Sequence, residues 1–334
     1  MKSRHKVFIV IFFGTIICLS IIGLLCLALF QNRQPQYGAT FSASYAQYLG
    51  LDAEQVFAAA IDELGIEDFR IPVYWSELEP MPGKENFTQI DTLMNHAALK
   101  NARITLVIGE KVLRWPECYL PEWTDYISDT EKNAALLRIL KHTVERYKDH
   151  PALTRWQVEN EPYFPFGECD RLDPQLLAQE IDLVRSLDSY HEIQLTTSGE
   201  QSLWLNSVDN ADILGVSLYR QVWSPVTGSF VFPYSSLYYG LQRVFTEFFV
   251  EQIIISELQV EPWLGNEVSL TDESISSLSE RFTATDFLEN VRFAKRTGVR
   301  EIYFWGIEWW YFLKENGDQS LWQAGRELID SSKN

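Results

Sequence analysis

Two short segments carry the residues best suited to chemistry: Asn160-Glu161-Pro162 and Ser256-Glu257. Each glutamate closes a β-branched or aromatic run, Thr154-Arg155-Trp156-Gln157-Val158 before the first and Ile253-Ile254-Ile255 before the second. Runs of that kind read as buried strands. Two carboxylates at the tips of two strands of one sheet are the minimum equipment for glycoside hydrolysis. One protonates the leaving oxygen, while the other attacks the sugar or activates a water. A strand-end glutamate taken alone is equally well a solvated loop residue, so the pair carries the argument.

Further side chains fit the same plan. Arg70, in Phe69-Arg70-Ile71-Pro72, needs a carboxylate partner if its strand is buried, and Glu257 is the candidate. Asn160 is placed to bond a sugar 2-hydroxyl, a contact that strengthens in an oxocarbenium-like transition state. Tyr219 is placed to donate to Glu257, and Trp305 to form a floor beneath the ring. Of 11 tryptophans, eight fall at or just after expected strand ends: Trp75, Trp115, Trp123, Trp223, Trp263, Trp305, Trp309 and Trp310. Aromatic faces stack on sugars, although large loops also use tryptophan for their own small cores. Glu308 is a candidate for hydroxyls of a distal sugar.

The elements that must position these residues alternate along the chain. Strands are expected at Ala39–Ser44, Asp68–Val73, Ile104–Gly109, Thr154–Glu159, Ile193–Thr197, Ile213–Tyr219, Ile253–Glu257 and Glu301–Trp305. Helical patterns lie at Ala53–Leu64, Ile90–Lys100, Thr130–Tyr147, Pro174–Leu187, Ser202–Ser207, Leu237–Phe249, Ala284–Thr297 and Leu321–Ile329. The alternation predicts an α/β fold, a closed (β/α)8 TIM barrel over residues 38–334. An open doubly wound sheet is the alternative, but no glycine-rich phosphate turn follows the first strand.

The formal net charge of −18 repels nucleic acid and polyanionic polysaccharides and argues for a neutral glycan substrate. Residues 1–6 read as a basic cytoplasmic stub. The uncharged run over residues 7–30 reads as a transmembrane signal anchor, and 31–37 as a linker to an extracytoplasmic domain; a cleaved signal peptide is the alternative. The five histidines show no ligand spacing beside a carboxylate, so no metal and no cofactor is expected. Cys118 and Cys169 follow neighbouring strands and form a reasonable disulfide, two free thiols being the alternative.

Arg70, Asn160-Glu161-Pro162, Tyr219, Glu257 and Trp305 fall on the second, fourth, sixth, seventh and eighth expected strands. That order resembles the clan A glycoside hydrolases, family 5 among them. Trp75-Ser76-Glu77-Leu78-Glu79-Pro80, then Gly83 and Asp91, is also similar to the clan's region after its second strand. The resemblance implies a retaining double displacement, with Glu161 as acid/base and Glu257 as nucleophile. It also shows departures: Ser217 stands where family 5 commonly has a histidine, and the third strand ends Val107-Ile108-Gly109, where another is common. A non-catalytic carbohydrate-binding barrel, a scaffold, and a transglycosylase using the same covalent intermediate remain the alternatives.

Overall fold

The computed structural model describes residues 34–169, 172–224, 226–264 and 273–333, with short stretches at 12–16, 19–20 and 23. Ten strands follow in chain order among them: β1 (Gln36–Thr40), β2 (Asp68–Pro72), β3 (Arg103–Ile108), β4 (Leu153–Val158), β5 (Glu192–Ser198), β6 (Ile213–Leu218), β7 (Gln221–Ser224), β8 (Gly228–Val231), β9 (Gln252–Gln259) and β10 (Glu301–Trp305). Eight of these close into a parallel barrel in the order β1-β10-β9-β6-β5-β4-β3-β2, while β7 and β8 form a separate antiparallel hairpin. Strands buried on both faces read as near-continuous apolar runs, as β6 does with every residue buried.

The helices outside the barrel bury one stripe each. They are α1 (Ala43–Tyr48), α2 (Ala53–Asp62), α3 (Trp75–Leu78), α4 (Thr88–Leu99), α5 (Asp129–Tyr147), α6 (Pro174–Leu187), α7 (Ser236–Thr246), α8 (Ile275–Glu280), α9 (Ala284–Lys295), α10 (Ile307–Glu315) and α11 (Ser320–Ser332). Their starts are chemically marked. Asp52 accepts from the Glu54 and Gln55 amides, and Ser128 with Glu131, like Thr283 with Asp286, forms a reciprocal cap. In α5, Leu136, Ile139, Leu140, Thr143, Val144 and Tyr147 make the buried face.

Four expectations need correction. The first strand lies earlier than Ala39–Ser44 and begins inside the expected linker, because the Ser42 hydroxyl accepts the Tyr45 amide at 3.1 Å and starts α1. The segment after Trp305 is the helix α10 and not a loop; its apolar residues bury Glu308, Trp309 and Trp310 together. Between the expected strand ending at Tyr219 and the expected helix starting at Leu237, where no element was expected, lies the β7–β8 hairpin.

The last correction concerns the single-pass anchor, and with it the extracytoplasmic placement. Among the described residues no helix is long and apolar enough to cross a membrane. Of the run 7–30 only 12–16, 19–20 and 23 are described. The remainder of that run lies outside the described residues. Membrane anchoring is therefore withdrawn.

Candidate active site

The C-terminal ends of the barrel strands form one mouth, and two backbone irregularities there aim the glutamates. After β4, Glu159 and Glu161 both adopt a left-handed backbone, with φ of 58° and 45°. Non-glycine residues hold that conformation at a cost, usually at functional turns. The turn sends alternate side chains apart. The Glu159 carboxylate accepts the Glu110 and Lys111 amides at 2.8 and 2.6 Å. It fills the space beside Gly109, where a Cβ would come within 2.3 Å of it, so Gly109 must be glycine. On β9, the pairing with β6 jumps from Val216–Ile255 to Ser217–Glu257, leaving Ser256 as the extra residue of a bulge. Bulges of this kind re-aim the following side chain.

Glu257 and Glu161 are both buried, 5% and 6% exposed, yet their partners differ in kind. Glu257 forms an ion pair with Arg70 Nη1 at 2.8 Å and accepts the Tyr219 hydroxyl at 2.9 Å. Burial, then the charge of Glu257, pushes the Tyr219 phenol well above its ordinary range, so it stays a donor. Glu161 accepts a hydrogen bond from the Ser217 hydroxyl at 2.7 Å. Burial first, then the negative charge of Glu257, pushes the Glu161 carboxyl up to about 7; the Ser217 bond, Lys111 and Arg70 pull the other way.

Arg70 ties the two sides of the mouth together. It is 1% exposed, and Nη2 donates to Asn160 Oδ1 at 2.8 Å while Nη1 holds Glu257. The Thr196 hydroxyl accepts the Glu161 amide at 2.8 Å and donates to Asn160 Oδ1 at 3.1 Å. Asn160 and Glu161 are thus positioned by one connected network. Lys111 Nζ completes it, donating to the Glu161 and Phe164 carbonyls at 3.1 and 2.9 Å and pairing with Glu117 at 3.2 Å. Burial pushes the Glu117 carboxyl up to about 8, and the nearby charges of Glu161 and Glu257 push the same way.

The mouth therefore brings together Arg70, Asn160, Glu161, Tyr219 and Glu257. Trp305, 9% exposed, lies beside Tyr219 with ring centroids 6.3 Å apart, and Trp263 meets the same tyrosine edge-on at 5.3 Å. Trp115 is 63% exposed on the rim, and Trp223 is half-buried on β7. Cys118 and Cys169 are joined, with Cα atoms 5.2 Å apart, and link the loops after β3 and β4.

Other proposed binding residues lie elsewhere. Trp75 is 1% exposed, donates to Glu79 at 3.0 Å and packs edge-on against Trp123, leaving no face for a sugar. Trp309 and Trp310 are buried under the barrel wall, where Trp310 donates to the Val260 carbonyl at 2.7 Å. Glu308 is fully buried, accepts the Ser42 amide at 2.6 Å and pairs with Arg114. An apolar helix, not a loop, carries these residues inward.

Ser217 escaped the sequence reading because it registered only as a missing histidine. Lys111, Arg114 and Glu117 gave one weak signal, a cluster of charges just after an apolar strand. Among the described residues no group of histidine, cysteine, aspartate and glutamate could hold a metal ion.

No protein-family model matches the chain. A stretch of 87 residues is 32% identical to the probable mannan endo-1,4-beta-mannosidase A-1 of Aspergillus terreus; it makes up 25% of this chain and 20% of that protein. The chain thus spans about a fifth of the length of this curated relative. Among solved structures, GH5_18 from Streptomyces cattleya in complex with GlcNAc shares 13% identity at a TM-score of 0.60, covering 90% of this chain and 81% of that one. A GH5_18 alanine variant from Bifidobacterium longum, in complex with Manb1-4GlcNAc, gives 13%, 0.58, 90% and 78% in the same terms. An exo-beta-1,4-mannosidase from an Opitutaceae bacterium gives 13%, 0.56, 89% and 59%. Identities this low establish a shared fold, and the barrel is the one these glycoside hydrolases have.

Proposed function

We propose that the chain is a retaining β-glycosidase acting on a neutral glycan, with Glu161 as acid/base and Glu257 as nucleophile. One observation carries this reading: two buried carboxyls in one barrel mouth have opposite electrostatic settings. A carboxyl near pH 7 in its titration is suited to give and take a proton. A carboxylate held by a cation and a phenol is suited to attack.

In the first step the Glu257 carboxylate attacks the anomeric carbon while Glu161 gives its proton to the departing oxygen. In the second, the Glu161 carboxylate takes a proton from water, which attacks the same carbon and frees Glu257. Retention needs carboxyl groups about 5–5.5 Å apart. Ser217 supports such a spacing, because it bonds Glu161 and stands opposite Glu257 in the strand register. Asn160, held through its carbonyl by Arg70 and Thr196, is set to meet the 2-hydroxyl. The exposed Trp115 and half-buried Trp223 offer rim surface for the rest of the glycan.

The names of the relatives support β-mannosides as the first substrates to try. The test is turnover of 4-nitrophenyl β-glycosides of mannose, glucose and galactose, with proton NMR of the first sugar released. Release of the β-anomer is expected. Initial release of the α-anomer, or no turnover of any member, overturns the reading.

A further inference from the structure

The two glutamates define a direction across the mouth. An acid catalyst sits on the leaving-group side of the bond it breaks, so the departing part lies toward β4. The sugar attacked by Glu257 then lies toward the opposite rim. In the closed strand order, β10 is four strands from β4 either way round. That rim is filled.

Arg114, from the loop after β3, reaches across to it and lies between two rings. Its guanidinium carbon is 3.7 Å from the Tyr45 ring centroid and 4.2 Å from that of Trp305. Nη1 pairs with Glu261, and Nη2 with Glu308 at 3.2 Å. Glu308 is held in turn by the Ser42 amide, and Glu261 packs against Gly306, where a Cβ would come within 2.5 Å of its own. The segments after β1, β3, β9 and β10 therefore converge on one cation whose side chain is only 10% exposed. Arg114 also holds a left-handed backbone, φ 77°. A strained arginine persists only where its surroundings over-determine it. A buried ion triad adds little net stability, but it makes a rigid wall.

We propose that Arg114 closes the glycone end of the cleft, so that the enzyme accepts only a single sugar at the non-reducing end of its substrate. A second sugar beyond the one facing Glu257 meets the Arg114 guanidinium and its two rings. Arginine suits this task better than lysine, since its flat, weakly hydrated head stacks on aromatic faces. The inference rests on the glycosidase reading above, with Glu161 as the acid.

The test uses the full chain and matched pairs of 4-nitrophenyl β-glycosides of mannose, glucose and galactose. One member is the monoside; the other is the 1,4-linked bioside with its distal 4- and 6-hydroxyls capped as an acetal, which prevents stepwise trimming. For the preferred sugar, the capped bioside is expected to show kcat/KM at least about 100-fold below the monoside. Arg114→Ala is expected to narrow that ratio by about tenfold or more, measured relative to its own activity on the monoside. The ratio in the unaltered protein decides the matter even if the variant does not fold. Cleavage of the capped bioside within about tenfold of the monoside overturns the wall and leaves the glycosidase reading intact. Cleavage of no member of either series overturns both.

Discussion

Glu161 and Glu257 sit in one barrel mouth, equally buried and at the tips of parallel strands, yet they are built as opposites. Glu257 leans on a guanidinium and a phenol. Glu161 leans on one neutral hydroxyl and faces the charge of its partner. Both side chains are buried, so what differs between them is their neighbours. Arg70 separates them: it bonds Glu257 directly, while its hydrogen bonds connect to Glu161 through Asn160 and Thr196 and its charge acts on Glu161 without contact.

Breaking the comparison at its centre has the largest effect. Glu257→Ala is expected to lower kcat by about 10⁴-fold or more on every glycoside. Glu161→Ala is expected to lose about 10²–10⁴-fold on alkyl leaving groups, which need a proton, and far less in the first step with a dinitrophenyl group, which does not. Steady-state and pre-steady-state rates on the two leaving groups check this, with circular dichroism to confirm the fold. Equal losses on both leaving groups argue against the assigned roles.

The supports should differ as well. Arg70→Met leaves Glu257 buried without its cation and is expected to cost about 3–5 kcal/mol in urea unfolding. Ser217→Ala removes one hydroxyl and is expected to cost about 1.5 kcal/mol or less. Its clearer effect is on titration. The Ser217 bond favours the charged Glu161, so its loss moves the alkaline limb of kcat/KM upward by about one pH unit. A downward shift contradicts the assignment of Glu161 as the acid.

The smallest effect expected is on global stability. Burial pushes Glu117, Glu159 and Glu200 up to about 8, and Glu161 and Glu308 up to about 7. Between its ordinary value and its raised one, such a carboxyl binds more protons in the folded chain than in the unfolded one. Stability therefore falls as pH rises through that window. His150, lowered by its own burial, works in the opposite direction but is a single group. Thermal unfolding is expected to show a melting temperature lower by about 3–5 °C at pH 8.5 than at pH 5.5. A rise over that range contradicts the protonated state of these buried acids.

The fold was largely legible because its signal is local. Apolar runs such as Ile253-Ile254-Ile255 and helical stripes such as Leu136, Leu140 and Val144 repeat with the periods of strand and helix. Boundaries failed where the local pattern is ambiguous. Gly306 to Trp310 reads equally as an aromatic loop and as the buried helix it is, and Trp75 reads as a rim platform although it packs inside. Which way an aromatic side chain faces depends on neighbours distant in sequence.

By itself the sequence determined that eight strand–helix units place Glu161 and Glu257 at one end of one barrel, with Arg70, Asn160 and Tyr219 at the same end. Those placements follow from strand count and from which residue ends each run. Only the tertiary structure decided the remaining partners: Ser217 on Glu161, Asn160 on Arg70 beside Glu257, and Arg114 stacked between Tyr45 and Trp305. Hydrogen bonds and ion pairs act over about 3 Å, and those of Ser217 with Glu161 and of Arg70 with Glu257 span 56 and 187 positions in the chain. No local pattern encodes them; the closure of the barrel does.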